Sequence, residues 1–471
     1  MSNKSPNDDS NLYISKYFHH DLQLRFLKVL DLCLLTLVFA GTWFFAYAKE
    51  IIDPFYGKGN WVVICLFALI YFLYGRTYDA FVVSLSSVSE KFYSQVLSCF
   101  FTDSIMYVVI ALLTRHFPQI LPIITCLLVQ AVISYIWSSL SSRWYFKVFP
   151  AKKTIIIYDK ESDLLNTIGN NELENKFDVQ KTIHANNITI ESLPMLKNFE
   201  IAFLANVHSH ERNQIIKYCI QNDIRVYILP RIGDVIMSGA ERMHILHLPV
   251  LHLVRYSPKP EFLILKRLFD IISAGFVLII VSPLMLIIAG IIKMTDRGPI
   301  LYKQTRLTKD GREFNILKFR SMKVDAEKDG VARLSTGKND TRVTSIGKVI
   351  RKVRFDELPQ LLNIIKGDMS VVGPRPERPE IAKQYEERLP EFSLRLQAKA
   401  GLTGYAQVYG KYNTIPYDKL EMDLMYIAKP SIFEDLKIIF ATIKILFESE
   451  STEGVSNNEV TELEFPKKDR S

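Results

Sequence analysis

Two adjacent carboxylates, Asp356 and Glu357, lie in the segment 351–360, between a basic cluster and the start of another predicted helix. One interpretation is structural, because aspartate is a favoured N-cap residue and Pro359 suits a first helical turn. The other is catalytic, because an ionised aspartate can attack phosphorus to form an aspartyl-phosphate type of intermediate. The residue types alone leave both interpretations open.

Arginines surround this pair in the sequence. Arg351 and Arg354 precede it, and Arg375 follows it between two prolines. Guanidinium groups suit bidentate phosphate binding, and they would lower the pKa of a neighbouring carboxylate and keep it ionised. A divalent ion would shield the repulsion between the carboxylate and phosphate anions. The cationic surroundings therefore favour chemistry on a phosphate.

Other kinds of catalytic site are excluded from the C-terminal third. The last histidine is His252 and the last cysteine is Cys219. Neither a Ser/His or Cys/His nucleophile nor a His or Cys zinc site can therefore lie there. No Asp-x-Asp motif occurs in the chain, which weighs against a metal-dependent glycosyltransferase of the nucleotide-diphosphate-sugar type.

The N-terminal part has the composition of a membrane domain. The chain is 48% hydrophobic, and its mean hydropathy is +0.10. The apolar runs are at about 26–48, 61–74, 99–113 and 120–140. They predict a four-helix transmembrane region over 25–145, after a cytoplasmic N-terminus over 1–24. The second and third runs are short, so buried or interfacial helices are the alternative there.

Basic residues on both sides of this region predict its orientation. They are Lys4, Lys16, Arg25 and Lys28 before the first run, and Arg143, Lys147, Lys152 and Lys153 after the last. Positive charge collects on the cytoplasmic side of membrane helices, so both ends are predicted to be cytoplasmic. An even number of spans agrees with that.

A Rossmann-like α/β domain is predicted over 150–256. Short apolar runs at 154–158, 201–204 and 225–229 are separated by helix-like stretches such as 211–222, a pattern that indicates a parallel sheet. The first run ends in Tyr158-Asp159-Lys160, without the glycines that let a backbone approach a pyrophosphate. We therefore expect no NAD site and favour a regulatory or assembly role.

A further apolar run, 269–294, is interrupted by Ser282 and Pro283 and has basic residues, including Arg297, at both ends. A fifth span would place one basic cluster outside, against the charge rule. Proline removes a helix hydrogen bond, and the serine hydroxyl can satisfy a freed carbonyl. We therefore predict a re-entrant membrane helix over about 267–294, with a kinked transmembrane helix as the alternative.

The C-terminal α/β catalytic domain is predicted to extend over 262–450. The segments 301–306 and 313–318 flank an Asp-Gly pair and predict a hairpin. The apolar stripe at 346–353 predicts a helix that lies on an anionic membrane or packs on its own domain. The polar tail 451–471 is expected to be disordered.

Five motifs occur in order along this domain. They are KRLFD (266–270), SP (282–283), KFRSM (318–322), DELPQLLNIIKGDMSVVGPRP (356–376) and AGLTGYAQVYG (400–410). The series closely resembles the bacterial sugar transferases, monotopic phosphoglycosyl transferases that begin capsule, exopolysaccharide and O-antigen assembly. The region ahead of it resembles, in layout more than in motif, the large subgroup typified by undecaprenyl-phosphate glucose or galactose phosphotransferases.

This resemblance implies roles for individual residues. Asp356 would attack the β-phosphorus of a UDP-sugar, release UMP and hold the phosphosugar until polyprenyl phosphate attacks. Glu357 would bind Mg²⁺ (or Mn²⁺) or take the proton, and Asp356 would be a second metal ligand. Residues expected to contact substrate are Arg354, Arg375, Lys318, Arg320 and Asp423. Asp368 also falls in a family-like motif, although aspartate after glycine is often a turn residue.

The resemblance also implies how the membrane helix is held. Lys266, Arg267 and Asp270 match the motif that orients the re-entrant helix, and Ser282-Pro283 matches its break. An ordinary basic anchor at a helix end, with Asp270 as its partner, is the alternative. The catalytic domain would lie on the cytoplasmic face of the bacterial inner membrane, where a UDP-sugar and a lipid acceptor meet. The subgroup's layout implies a homodimer.

Three rival functions remain distinguishable. The net charge of +8 would allow nucleic-acid binding, but no nucleic-acid-binding signature occurs, so no nucleic-acid partner is expected. A non-catalytic membrane scaffold is the second rival. The intact carboxylate pair of Asp356 and Glu357 (the dyad), together with Arg375, argues against it. The third is a UDP-sugar hydrolase, in which water would resolve the same intermediate.

Overall fold

The structure is a computed structural model that describes residues 6–51, 58–84, 86–159, 173–188, 190–245, 247–255, 258–296, 298–322, 342–410 and 415–446. The sequence predictions that concern Lys4, Lys160, Arg297 and the tail 451–471 lie outside these residues. The chain divides into two compact units, Met1–Leu229 and Pro230–Ser471.

The first unit begins with four long helices. They are α1 (Pro6–Thr42, continued by a π-helical turn at Trp43–Tyr47), α2 (Gly59–Thr77), α3 (Val88–Thr114) and α4 (Leu121–Val148). These four, with Pro260–Thr295 of the second unit, are the five described helices whose length and composition would allow them to cross a membrane. Helices therefore occupy all four predicted apolar runs, and α2 and α3 are longer than their runs.

Polar side chains join these helices in the interior of the bundle. Asp31 of α1 accepts hydrogen bonds from the Tyr71 hydroxyl (3.1 Å) and from the Gln95 amide (2.9 Å). The Gln95 carbonyl oxygen in turn accepts from Ser138 of α4 (3.0 Å). Buried polar groups need such partners, and here each partner comes from another helix. The polar side of α3 therefore faces the interior of the bundle. The apolar core of the bundle includes Phe39, whose ring stacks on a second phenylalanine ring.

The α/β domain follows in the same unit. Its strands are β1 (Lys152–Tyr158), β2 (Phe177–His184), β3 (Ile201–Ala205) and β4 (Arg225–Ile228). They form one sheet in the order β2-β1-β3-β4 with every neighbouring pair parallel. Helix α5 (Ser209–Gln221) connects β3 to β4. The predicted α/β domain with a parallel sheet is confirmed.

The second unit carries the remaining elements. It starts with α6 (Ile232–Ser238), β5 (Glu241–Ile245), β6 (Leu248–His252) and α7 (Pro260–Asp296). It continues with β7 (Leu301–Leu307), β8 (Glu313–Phe319), α8 (Ser345–Lys352), α9 (Gln360–Lys366), β9 (Ser370–Val372) and α10 (Pro379–Arg388). It ends with β10 (Gly401–Thr403), α11 (Tyr405–Val408), α12 (Pro416–Ala428) and α13 (Ile432–Leu446).

The boundary between the units differs from the predicted end of the α/β domain at 256. Ile232 and Val235 of α6 belong to an apolar core that also holds Leu420 and Ile427 of α12. Gly239, which follows α6, lies so close to the end of α12 that a Cβ there would clash with the backbone of Ala428. Apolar contact of α6 with α12, which lies nearly 200 residues later in the chain, assigns it to the second unit.

The predicted hairpin and its packing against α7 form the base of the second unit. β7 and β8 are antiparallel, with Leu307 opposite Glu313, as predicted from the intervening Asp-Gly pair. The first half of α7 packs through Ala274 in one apolar cluster with Phe314. The second half, beyond Pro283, packs through Ile288 in another cluster with Phe319. Both halves of α7 therefore contact the same hairpin.

The apolar stripe predicted at 346–353 lies on helix α8, and only part of it is buried. Ile350 is buried in the cluster that holds Ile288, whereas Val349 and Val353 remain 61% and 43% exposed. One side of α8 therefore packs on its own domain, as one alternative predicted. The exposed valines, beside Lys348 and Lys352, leave an amphipathic outer side.

Candidate active site

The carboxylate pair lies on one tight turn between two helices. After α8, Arg354 adopts a left-handed conformation (φ +55°) ahead of the 3₁₀ turn Phe355–Glu357. A positive φ is uncommon outside glycine and marks a position that its surroundings hold. Asp356 is buried, at 9% exposure, and the residue at the N-cap of α9 is Pro359. The alternative in which Asp356 caps this helix is therefore wrong.

Glu357 lies between two cations from distant parts of the chain. Its Oε1 atom is 2.8 Å from Lys318 Nζ of β8 and 3.4 Å from Arg375 Nη2. Burial raises the pKa of Glu357, but Lys318 and Arg375, aided by Arg354, outweigh it and hold that pKa well below the usual range. Glu357 is therefore a fixed anion, as predicted for a carboxylate beside guanidinium groups.

Asp356 has the opposite electrostatic environment. Burial, and next the negative charge of Glu357, raise the pKa of Asp356 above its ordinary value, while Lys318 and Arg351 oppose that rise. Arg351 therefore lowers the pKa of Asp356 as predicted, but the expected net lowering is wrong, because lost hydration and a like charge outweigh the cations. Environments that separate two pKa values assign the two carboxyl groups different chemical roles.

An asparagine that the sequence analysis did not identify fixes the strand that carries Lys318. The side chain of Asn363 in α9 accepts from the Leu317 nitrogen (3.0 Å) and donates to the Asn315 carbonyl (2.9 Å). Asn363 is buried, and its two bonds reach the backbone of β8 just before Lys318. A polar residue inside the apolar helix 361–365 was the available signal. Helix α9, which follows the dyad, and strand β8, which carries Lys318, are thereby fixed relative to each other.

Arg375 is carried by a loop whose close packing requires glycine. The Gly401 nitrogen donates to the Pro374 carbonyl (2.9 Å), so the loop and β10 meet backbone to backbone. A Cβ on Gly401 would clash with the backbone nitrogen of Gly373, and one on Gly404 would clash with its carbonyl oxygen. The glycines in the resembling motifs therefore set the path of the loop before Arg375.

Gly401→Ala should destabilise the protein by about 1–3 kcal/mol, because the added methyl group overpacks two backbones that have no room to separate. Thermal unfolding of the detergent-solubilised chain should show a lower Tm. Gly233→Ala is the matched control, because a Cβ there meets no other atom within 4 Å. Equal Tm values for the two variants would contradict the packing argument.

The three residues predicted to orient the membrane helix each bind an element far along the chain. Their bonds run from Lys266 Nζ to Asp435 Oδ2 (2.6 Å), from the Arg267 guanidinium to the Ile364 and Ile365 carbonyls (2.7 Å each), and from Ser370 Oγ and the Val371 nitrogen to Asp270 (2.8 and 3.0 Å). Arg267 thereby satisfies carbonyls at the C-terminal end of α9, the helix that follows the dyad. The start of α7 is therefore tied to the site.

Two residues predicted to contact substrate have other partners. Arg320 is buried, and it packs so closely on Gly298 that a Cβ at that glycine would clash with its guanidinium. Asp423 is also buried and forms an ion pair of 2.7 Å with Arg395. The structure thus brings Lys318, Arg354 and Arg375 to the dyad, and it places the other two residues in contacts within the fold.

The donor set for a divalent ion is incomplete without substrate. In the part of the chain that the structure describes, no group of three or more His, Cys, Asp or Glu side chains could hold a metal ion. Mg²⁺ commonly binds through one or two carboxylates together with substrate phosphates. Ionised Glu357 beside Asp356 fits that set, whereas Asp368 pairs with Arg312 (3.3 Å) and Lys366 (3.4 Å). The dyad is therefore the better candidate for Mg²⁺.

Comparison with known proteins places these features in one sequence region. The family model described as "Bacterial sugar transferase" matches residues 262–449. That range includes the dyad, the hairpin with Lys318, the Arg375 loop and all of α7 except its first two residues.

Curated relatives share the same part of the chain. A UDP-N-acetylgalactosamine-undecaprenyl-phosphate N-acetylgalactosaminephosphotransferase of Aeromonas hydrophila is 38% identical over 239 residues, which are 50% of this chain and 55% of that protein. A UDP-glucose:undecaprenyl-phosphate glucose-1-phosphate transferase of Klebsiella pneumoniae is 43% identical over 186 residues, 38% of this chain and 40% of that protein. The Exopolysaccharide production protein PSS of Rhizobium leguminosarum bv. phaseoli is 42% identical over 192 residues, 38% of this chain and 94% of that protein. The chain thus spans about half or less of the first two relatives and nearly all of the third.

Proposed function

Because the chain belongs to the bacterial sugar transferase family, we propose that it transfers a sugar 1-phosphate from a UDP-sugar to undecaprenyl phosphate and releases UMP. This would be the first membrane step in building a polysaccharide such as an exopolysaccharide, capsule or O-antigen. The observation that carries the proposal is the buried Asp356 beside Glu357, which Lys318 and Arg375 hold as an anion. The named relatives act on different UDP-sugars, so the proposal leaves the sugar open.

The reaction proceeds in two displacements at one phosphorus atom. A carboxylate oxygen of Asp356 attacks the β-phosphorus of the UDP-sugar, the bond from that phosphorus to the bridging oxygen breaks, and UMP leaves. The phosphosugar is then an acyl phosphate on Asp356. A phosphate oxygen of undecaprenyl phosphate attacks the same phosphorus, frees the carboxylate and gives the lipid-linked diphosphate sugar. The burial that raises the pKa of Asp356 also removes water that would compete with the lipid.

The cations beside the dyad bind and orient the diphosphate. The Arg375 side chain is 45% exposed, so it stays accessible to a ligand while one of its nitrogens contacts Glu357. A guanidinium presents paired N–H donors to phosphate oxygens, and an ammonium such as Lys318 adds a compact charge. Positive charge placed where the transferring phosphate gathers negative charge lowers the barrier.

Mg²⁺ would be held by Glu357, with Asp356 beside it, and when bound it would neutralise charge on the diphosphate and its leaving group. The pKa of Glu357 lies well below the usual range, so this carboxylate remains a negative ligand across physiological pH. The fixed positions of Lys318 and Arg375 on either side of Glu357 hold its orientation.

Helix α7 would enter the cytoplasmic leaflet of the inner membrane and return to the same face. Pro283 lacks an N–H, and the Ser282 hydroxyl donates instead to the Ile279 carbonyl (2.9 Å), which that proline leaves without its usual donor. Both halves of the helix pack on the hairpin of β7 and β8, as they would if the helix returned to the face that it entered. The reaction would then occur at the cytoplasmic interface, where the two substrates meet. The expected homodimer stays a prediction.

The first test is UMP release by the full chain in detergent, with a panel of UDP-sugars, with and without undecaprenyl phosphate and Mg²⁺. We expect one or a few UDP-sugars to give UMP and a lipid-linked diphosphate sugar in equal amounts. Equal multiple-turnover UMP release with and without lipid would identify a hydrolase. If a well-folded preparation released no UMP from any UDP-sugar, the proposal would fail.

Lys318→Met should move the acid limb of the pH profile of kcat/KM to higher pH. Lys318 lowers the pKa of Asp356, so its removal lets that already raised pKa rise further. The attacking carboxylate must be ionised, so activity is lost on acidification as the pH falls through this higher pKa. Lys366→Met, at a surface lysine, is the control and should leave the limb in place. A limb that stays in place or moves to lower pH in Lys318→Met would count against the assigned charges.

A further inference from the structure

In the loop that carries Arg375, the backbone carbonyls of residues 374–377 each accept a hydrogen bond. The bonds reach Pro374 from the Gly401 nitrogen (2.9 Å), Arg375 from Arg395 Nη2 (2.8 Å), Pro376 from Arg306 Nη1 (3.0 Å) and Glu377 from the Leu307 nitrogen (2.9 Å). Two of these donors are backbone groups of strands, and two are arginine side chains. The conformation of the loop is therefore set by two arginine side chains as well as by the backbones of β7 and β10.

Arg395 is the more deeply buried of the two arginine donors. Its side chain is 4% exposed, and it forms an ion pair of 2.7 Å with Asp423, whose side chain is 1% exposed. Its Nη1 atom lies 3.6 Å from Glu377 Oε1, and its guanidinium stacks on the Phe392 ring at 4.8 Å. A buried charge is costly unless it is paired, and Asp423 and Glu377 supply that pairing. Two carboxylates and an aromatic ring therefore hold the guanidinium of Arg395 in the position from which it bonds to the carbonyl of Arg375.

We propose that Arg395, held by Asp423, is a positioning residue for the transfer reaction, which it serves by fixing Arg375 beside Glu357. The proposal rests on the proposed function for its activity test. The path runs from Asp423 in α12 to Arg395, from Arg395 Nη2 to the Arg375 carbonyl, and from the Arg375 guanidinium to Glu357. Neither Arg395 nor Asp423 reaches the substrate in this assignment.

The chemistry of the position requires arginine. Nη2 donates a hydrogen bond to the Arg375 carbonyl (2.8 Å), and the same atom lies 2.7 Å from Asp423 Oδ2 in the ion pair. The planar guanidinium can stack on Phe392 while it does so, whereas a lysine ammonium is a point charge on a flexible chain. Removal of Asp423 would leave a buried cation without its nearest counter-ion. A change at either residue should therefore displace Arg375.

The competing explanation is that Arg395 only stabilises the fold. A double-mutant cycle in the full chain separates the two, because a residue that acts through Arg375 has no further effect once Arg375 is gone. We expect Arg395→Met to lower kcat/KM about tenfold to a hundredfold in the natural background, mainly through kcat. In the Arg375→Met background the same change should cost less than about twofold. Equal losses in both backgrounds, or no loss in the natural one, would overturn the proposal.

Further variants control for folding and for charge. Arg395→Lys retains the charge and should recover part of the lost activity, while Asp423→Asn should reproduce the loss without altering Arg395. Arg312→Met removes another ion-paired arginine of the same unit and should leave kcat/KM unchanged. Tm is measured for every variant, and a loss of activity that follows Tm across the series would support the purely structural explanation.

A binding measurement distinguishes failure of this inference from failure of the proposed function. The Kd for UDP is measured by calorimetry for the same four proteins of the cycle. If the natural chain released no UMP but Arg395→Met weakened UDP binding only where Arg375 is present, the positioning role would stand and the transferase proposal would fail. If transfer occurred and neither kcat/KM nor the Kd depended on Arg395, the positioning role would fail alone.

Discussion

Asp356→Asn should reduce UMP release by roughly 10³-fold or more, because it removes the nucleophile on which both displacements depend. The amide is nearly the same size as the carboxylate, so the buried turn at 355–357 should keep its shape. The natural chain, mixed with a reactive UDP-sugar without lipid, should release about one UMP per protein in a rapid burst. Intact-protein mass measurement should then show one added phosphosugar, which is absent from the variant.

The control for this variant is Asp310→Asn, on the hairpin turn between β7 and β8. Asp310 has a positive φ, which asparagine tolerates, and its side chain is exposed beside Arg255. This variant should keep the burst, the adduct and the steady-state rate. An Asp356→Asn protein with natural activity, or one that still carries the adduct, would show that another residue is the nucleophile.

Glu357→Gln should lower kcat/KM by roughly 10²-fold, because it removes the anion that Lys318 and Arg375 flank and the proposed ligand of Mg²⁺. The Mg²⁺ concentration needed for half-maximal rate should rise. The acid limb of the pH profile should move to lower pH, because the charge of Glu357 raises the pKa of Asp356 and its loss lets that pKa fall. A smaller burst of UMP should remain, since the nucleophile is intact.

Glu380→Gln, at an exposed position in the first turn of α10, is the matched control and should change none of these quantities. The direction of the acid limb is the decisive observation for Glu357. A limb that moved to higher pH in Glu357→Gln would mean that Glu357 does not raise the pKa of Asp356. An unchanged Mg²⁺ requirement would remove Glu357 from the metal site.

The candidate site could be located from the sequence, but its assembly could not. A single motif, 356–376, contains Asp356, Glu357 and Arg375, and the Asp-Gly pair predicts the hairpin that carries Lys318. The role of Asn363 was not predicted, because its neighbours in the helix are apolar and no local pattern shows which strand it binds. Two residues expected at the substrate, Arg320 and Asp423, are of the right chemical type but are buried in other contacts.

The membrane helices show a similar division between local pattern and packing. The apolar run at 99–113 covers only the second half of α3, which begins at Val88. Its first half carries Lys91 and Gln95, polar residues that a hydropathy pattern counts against a span. They are buried against partners on other helices, as in the bond from Gln95 to Asp31, so the helix is longer than its apolar run. Only the packed bundle supplies those partners.

The sequence by itself determined the elements whose signals are local. The hairpin follows from its turn residues, the parallel sheet from alternating apolar runs, and the family from ordered motifs. Tertiary structure alone decided the opposite pKa directions of Asp356 and Glu357, because burial and the approach of Lys318 depend on groups distant in the chain. It also decided that Arg395 reaches the carbonyl of Arg375, since no spacing along the chain specifies that long-range contact.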